Sequence, residues 1–220
     1  MKKEDEIIIV VPRKKLFSNE ELTFQGVTRD ADLVEVLMYH MDLHYKDMRR
    51  GGTEEIDTPK SKNAELNFEY KQPIPYIVIR RGDQLYVTKR LEGGGESRLH
   101  GKLSMGAGGH MNPLEKDFKG NNMYSIEKVI HENTVRELEE ELAITGEVKV
   151  SLLGLINDDS ESVGEVHIGI LGVVDLGKKD EVTVRETDQL EGAWYTVEQL
   201  REKETYDRLE NWGKIVVDML

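Results

Sequence analysis

Arg136-Glu137-Leu138-Glu139-Glu140-Glu141-Leu142-Ala143-Ile144 is the stretch on which the reading of this chain turns. At about 100 degrees per residue on a helix, Glu137, Glu140 and Glu141 share one arc of roughly that width, while Glu139 points away. Like charges at these spacings destabilise an isolated helix by a few tenths of a kcal/mol per pair, roughly, so propensity gives no reason for the arrangement. A bound cation would supply one. Mg²⁺ suits such a cluster better than zinc, because it prefers oxygen ligands, keeps several waters and is shared between carboxylates and substrate phosphates. A solvated acidic helix face is the competing reading of the same residues.

The surroundings separate the two. Val135, Leu138 and Leu142 can pack this helix against a sheet beside the acidic stripe, and Ser125 can cap a helix running to about Ala143. Upstream lies the glycine-rich turn Gly106-Ala107-Gly108-Gly109. Before it, Pro73 and Pro75 introduce Tyr76-Ile77-Val78-Ile79, a turn at Arg81-Gly82-Asp83, and Leu85-Tyr86-Val87-Thr88, which together read as a hairpin. Residues 148–156 and 166–174 read as two further strands. Ala193-Trp194-Tyr195 is a short strand leading to Thr196, an N-cap for residues 197–201. Leu209, Trp212, Ile215, Val216 and Met219 mark one face of a terminal amphipathic helix.

The first 70 residues read as an extension. Residues 7–11 form a β-branched run closed by Pro12, which suits a buried strand. Asp30 can cap a helix carrying Leu33, Val34, Leu37, Met38 and Met41, whereas Gly51-Gly52 and residues 53–63 look like loop. The run at 7–11 is too apolar to dangle, so the extension is expected to pack on the rest of the chain or to form a homodimer contact. Strands interleaved with a few helices predict an α/β fold with a mixed sheet.

Composition narrows the function classes. Of 220 residues, 38% are hydrophobic and 33% charged, which fits a globular protein and not a disordered one. The formal charge of -13 argues against a nucleic-acid polymer as partner. It leaves room for a small polyanion bound through a divalent metal, since the ion reverses the sign of the site. With no cysteine in the chain, disulfides, thiolate zinc sites, iron-sulfur clusters and cysteine nucleophiles are excluded. No segment approaches a membrane span, and the acidic start Met1-Lys2-Lys3-Glu4-Asp5-Glu6 leads into no signal-peptide core, so a cytoplasmic location without membrane partner is expected.

The glycine turn and glutamate helix resemble the box of the Nudix, or MutT-like, hydrolases: Gly-x5-Glu-x7-Arg-Glu-U-x-Glu-Glu-x-Gly-U, where U is a bulky aliphatic residue. Residues 136–144 match its second half, with Ala143 in place of glycine. Gly109 and Glu115 match its first half, but the 20 residues 116–135 separate Glu115 from Arg136 instead of seven, an insertion of 13. Glu127, near the helix start, is the alternative to Glu115 as first box glutamate. The resemblance covers residues 71–220, with Glu191-Gly192-Ala193-Trp194-Tyr195-Thr196 similar to the family's late strand-to-helix turn. The extension resembles that of a MutT-like subgroup described only as phosphoesterases by prediction.

That resemblance implies a Nudix-type α/β/α sandwich over residues 71–220, with residues 1–70 as an N-terminal α/β extension. It implies Mg²⁺- or Mn²⁺-dependent hydrolysis of a diphosphate linkage in a small nucleoside diphosphate derivative or related metabolite. Glu137, Glu140 and Glu141 would be metal ligands or, for one of them, the base that activates water. Arg136 would orient them by ion pairing, and the carbonyl near Gly108 or Gly109 would complete the coordination. Substrate contacts fall to His110 and Glu115 beside the glycine turn, and to Glu165 or Glu161 in the acidic loop that also holds Asp158 and Asp159. For each loop acid a role in solubility is an equal alternative.

Other candidates are weaker. His40 and His44 stand four apart but lack the glutamate of His-Glu-x-x-His, and His100, His110, His131 and His167 are scattered. Gly93-Gly94-Gly95 lacks the lysine of a phosphate-binding loop. Two rival functions remain: a Nudix-fold isopentenyl diphosphate isomerase, disfavoured by the missing cysteine, and a non-catalytic ligand-binding or regulatory module, disfavoured by the intact box acids. The resemblance leaves substrate identity open.

Overall fold

The computed structural model describes residues 3–52, 63–91, 100–117, 119–185 and 187–220. Residues 53–62 of the loop expected at 53–63, and Gly93-Gly94-Gly95, lie outside the described residues. The chain divides into two compact units: Met1–Pro75, Gly109–Thr134 and Gly154–Ile170 form the first, and Tyr76–Gly108, Val135–Leu153 and Leu171–Leu220 the second. Both are α/β, the class expected.

In the first unit, the apolar run becomes the strand Ile7–Pro12, paired antiparallel with Lys46–Arg49. Its two faces serve two clusters, as the period of two requires. Ile9 and Val11 join Leu37, Met41, Met111 and Ile126 in the main core, while Ile8 and Val10 pack with Ala64. Being covered on both faces is why every position from Ile8 to Val11 is β-branched. Val11 and Pro12 also pair with Lys71 and Tyr70. The helix Ala31–His44 starts at Asp30, whose Oδ1 accepts from Leu33 N at 2.9 Å.

Residues inserted in the box are tied to the extension. The Lys116 ammonium and the Asp47 carboxylate form an ion pair of 2.5 Å, Asn122 Nδ2 donates to Tyr45 O at 3.2 Å, and Tyr45 Oη donates to Tyr124 O at 2.6 Å. The Asp42 carboxylate accepts from Ile126 N at 2.6 Å, so a side chain of the extension helix satisfies one of the orphan donors at the start of the helix Ile126–Glu141. Ser125 Oγ accepts more weakly from Lys128 N, at 3.4 Å.

In the second unit, the latter part of the strand Tyr70–Arg81, from Tyr76 on, and the strand Gln84–Arg90 make a hairpin that turns at Gly82, whose φ of +63° suits glycine. Leu190–Thr196 runs antiparallel along Gln84–Arg90, from Leu190 opposite Arg90 to Thr196 opposite Gln84. Ile77, Ile79, Leu138, Leu142, Val174 and Val182 form the core, each fully buried side chain contributing about 1.5–3 kcal/mol. Thr196 and Gln199 form a reciprocal capping box at the start of Val197–Arg201.

Several boundaries differ from the sequence reading. The glutamate helix ends at Glu141, not Ala143, because Leu142–Ile144 pair with Val182–Val184. Residues 148 and 149 precede a strand that spans Val150–Asn157. Val166 closes a short helix, Ser162–Val166, and the strand begins at His167. In the terminal helix Asn211–Met219 the buried face is Gly213, Val216 and Val217; Met219 is only half-buried.

Candidate functional site

In the second unit, the box glutamates occupy the C-terminal end of their helix. Leu138 and Leu142 are each 3% exposed and seat that end in the core. Arg136 forms ion pairs with Glu137, Nη2 to Oε1 at 2.8 Å, and with Glu140, Nη1 to Oε2 at 3.2 Å. Glu137 is the sheltered member, its side chain 12% exposed against 58% for Glu140. Glu141 is half-buried and Glu139 exposed. Glu139, Glu140 and Glu141 fall in the last turn, which carries no basic residue, at the end where the helix dipole disfavours negative charge. Arg185 answers part of this, donating from its backbone N to Glu141 O at 2.8 Å and from Nε to Leu142 O at 3.0 Å.

In the first unit, the turn after Gly109 is clamped by two asparagines. Asn112 N donates to Asn133 Oδ1 at 2.8 Å, and Asn133 Nδ2 donates to Asn112 O at 3.0 Å. Ile9 N donates to Met111 O at 2.8 Å. This fixes His110, flanked by the buried Met111, beside His167 at the start of its strand. The two Nε2 atoms are 3.4 Å apart and the rings meet edge to face with centroids 5.4 Å apart. His110 Nε2 also lies 3.6 Å from Glu65 Oε1. Among the described residues, Glu65, His110 and His167 form a group of His, Cys, Asp or Glu side chains whose ligand atoms all lie within 4.8 Å of one another.

Burial pushes His110 well below the ordinary value, with Arg50, His167 and Lys3 adding to the effect. Burial also lowers His167, against the opposing pull of its bond to Val163 O and of Glu65.

The other loop acids have structural partners. Asp159 accepts from Lys71 and Arg13, and Asp158 accepts from Ser160 and Gln25. Glu161 precedes the Ser162–Val166 helix and is exposed; Glu165, on that helix, is half-buried near Lys71. Glu115 and Glu127 are both exposed, Glu127 in the first turn of its helix. His40 Nδ1 meets Leu16 O at 2.9 Å. Sequence reading passed over Glu65 and His167: 65, 110 and 167 form no local spacing, and the only signal available was that residues of two liganding types, Glu and His, existed.

Similarity to known proteins agrees with this architecture. No protein-family model matches the chain. The crystal structure of Tm1382, a protein assigned provisionally as a Nudix hydrolase, superposes with a TM-score of 0.71 at 25% identity, covering 97% of each chain. A MutT Nudix hydrolase from Burkholderia pseudomallei is 20% identical with a TM-score of 0.48, covering 68% of this chain and 98% of its own. On this likeness the chain has the fold of the Nudix hydrolases. Protein YmaB of Bacillus subtilis (strain 168) is 47% identical over 222 residues, covering 100% of both chains. Among the described residues, no helix is long and apolar enough to cross a membrane.

Proposed function

We propose that this hydrolase cleaves a diphosphate linkage in a nucleoside diphosphate derivative or related phosphorylated metabolite, using Mg²⁺ or Mn²⁺ held by Glu137, Glu140 and Glu141. The observation that carries this reading is the crowding of carboxylates at the negative end of one helix, with Arg136 as the shared cation of Glu137 and Glu140. Such crowding works against the helix by about 0.3–1 kcal/mol per charge at low salt, and a divalent ion would reverse the sign. The donor set fits: hard oxygens on one arc, with no nitrogen or sulfur among them, are what Mg²⁺ takes.

Arg136 acts as a positioning residue, restricting the rotamers of Glu137 and Glu140. Glu137, more sheltered than Glu140, is the steadiest ligand, and Glu140 or Glu141 takes the proton from the attacking water. When bound, the ion neutralises charge developing on the phosphoryl oxygens. A screen of diphosphate compounds with phosphate and pyrophosphate detection tests the reading. Turnover should need Mg²⁺ or Mn²⁺ and stop with chelator. Full turnover in excess EDTA, or strict zinc dependence, would overturn it.

A further inference from the structure

We infer that Glu65, His110 and His167 form a second metal site, separate in residues from the box glutamates, that takes a tetrahedral transition-metal ion of the Zn²⁺ class with the fourth position open to solvent. The inference is independent of the diphosphate reading, because the three residues all belong to the first unit and none is a box residue.

Distances give the first argument. Tetrahedral ligands at Zn–N bonds of about 2.0–2.1 Å stand roughly 3.3–3.4 Å apart, whereas neighbouring ligands of an octahedral ion with similar bonds stand about 3.0 Å apart. Here His110 Nε2 is 3.4 Å from His167 Nε2 and 3.6 Å from Glu65 Oε1, close to the tetrahedral edge. Two imidazoles and one carboxylate also suit zinc and not magnesium.

Orientation gives the second. Val163 O can only accept, so at 2.6 Å His167 Nδ1 carries the hydrogen and Nε2 of the neutral ring presents its lone pair to His110 and Glu65. That is how a ligating histidine is normally aimed. Glu65 is held differently, through the oxygen that faces His110: its Oε1 accepts from Arg50 Nε at 2.9 Å, while Arg50 also forms an ion pair with Glu6 that offsets its own positive charge. The backbone of Glu65 is pinned as well: its N donates to Asn63 Oδ1 at 3.1 Å and to Arg50 O at 3.0 Å.

The third is rigidity. Glu65 sits in the 3₁₀ turn Ala64–Leu66, His110 is fixed by the Asn112 and Asn133 clamp, and His167 opens the strand His167–Asp175. An ion would therefore staple three chain segments distant in sequence, binding the folded state and not the unfolded one. Side chains of Glu65 and His110 are 14% and 15% exposed, which leaves a path for the ion and for one water.

The test uses the full chain, stripped of metal, titrated with Zn²⁺ alone and with Co²⁺ as a spectroscopic stand-in. One equivalent should bind, raise Tm, and for Co²⁺ give the intense visible absorption of a tetrahedral site. His110→Gln and His167→Gln should each lower affinity by more than about 100-fold, since loss of even an outer partner costs about 10–100-fold. If either variant misfolds, Glu65→Gln, which keeps the shape and a hydrogen bond to Arg50, should still weaken binding by at least ~10-fold with an unchanged circular dichroism spectrum. His131→Ala should bind like the parent, and so should the triple variant Glu137→Gln, Glu140→Gln, Glu141→Gln. Loss of zinc in the triple variant would show that the ion was in the box and overturn this site; its loss of turnover alone bears only on the hydrolase reading. Absence of one-equivalent binding, a weak octahedral Co²⁺ spectrum, or binding that survives His167→Gln and Glu65→Gln would equally overturn it.

Discussion

Lys71 Nζ, fully buried, donates to Asp159 Oδ1 at 2.7 Å and to Gly164 O at 2.8 Å, and the same carboxylate accepts from Arg13 Nη2 at 2.8 Å. Burial alone would raise the Asp159 carboxyl, but the bonds from Arg13 and Lys71 hold it well below the usual carboxylate range. Lys71 moves the other way: burial lowers it, and Asp159 only partly restores it. The carboxylate, with two cations on it, is therefore the member whose charge the fold favours.

Asp159→Asn should destabilise the protein by about 3 kcal/mol, because it strands a buried ammonium. Lys71→Met should cost less, since Asp159 keeps Arg13. The folded value of Asp159 lies below its unfolded value of about 3.9, so its contribution is full above that pH and is lost as pH falls toward the folded value. Urea melts near neutral pH and at about pH 3 should show the gap between parent and Asp159→Asn closing on acidification. An equal gap at both would remove Asp159 as its source.

Asp42→Ala should loosen the start of the Ile126–Glu141 helix, because Ile126 N then has lost the carboxylate at 2.6 Å. Loss of a capping acceptor costs about 0.5–2 kcal/mol. Hydrogen exchange should quicken at the first amides of that helix and not at its glutamate end. Uniform quickening along the helix would point to global destabilisation instead.

Glu140→Gln and Glu141→Gln should each reduce kcat by at least ~100-fold, in the range that follows loss of one transition-state charge contact. Glu139→Gln, exposed and outside the arc, should change little. Thermal melts of the apo variants should match the parent or rise slightly, because removing a carboxylate from the negative end of a helix relieves repulsion. Equal damage from the Glu139 and Glu140 substitutions would show that the arc faces elsewhere.

Gly192→Ala should be poorly tolerated although Gly192 lies in a regular strand opposite Thr88. A Cβ there would meet Tyr86 Oη within 1.8 Å, and Tyr86 is held edge to face with Trp194, centroids 5.2 Å apart. Overpacking of this kind costs about 1–3 kcal/mol. A Tm unchanged by Gly192→Ala would mean that the Tyr86 ring moves aside freely.

The parts of this protein legible in its sequence are those governed by neighbours along the chain. Hydrophobic period located the Ile7–Pro12 strand and the hairpin around Gly82, and the capping residues Asp30 and Thr196 marked helix starts, because each depends on contacts within a few residues. The glutamate arc belongs to the same class, since helical geometry alone puts 137, 140 and 141 on one side. Pairings that act across the chain were not legible. Leu142 ends the helix early only because Val184 lies opposite it in a ladder. Asp42 reaches Ile126, and the inserted residues Lys116 and Asn122 find the extension, through folding that spacing does not encode. Glu65, His110 and His167 are the extreme case: tens of residues apart in sequence, their ligand atoms come within 4.8 Å of one another because a 3₁₀ turn, a clamped loop and a strand end are each fixed within the first unit. Local periodicity carries no information about such a meeting, whereas burial and chain closure determine it.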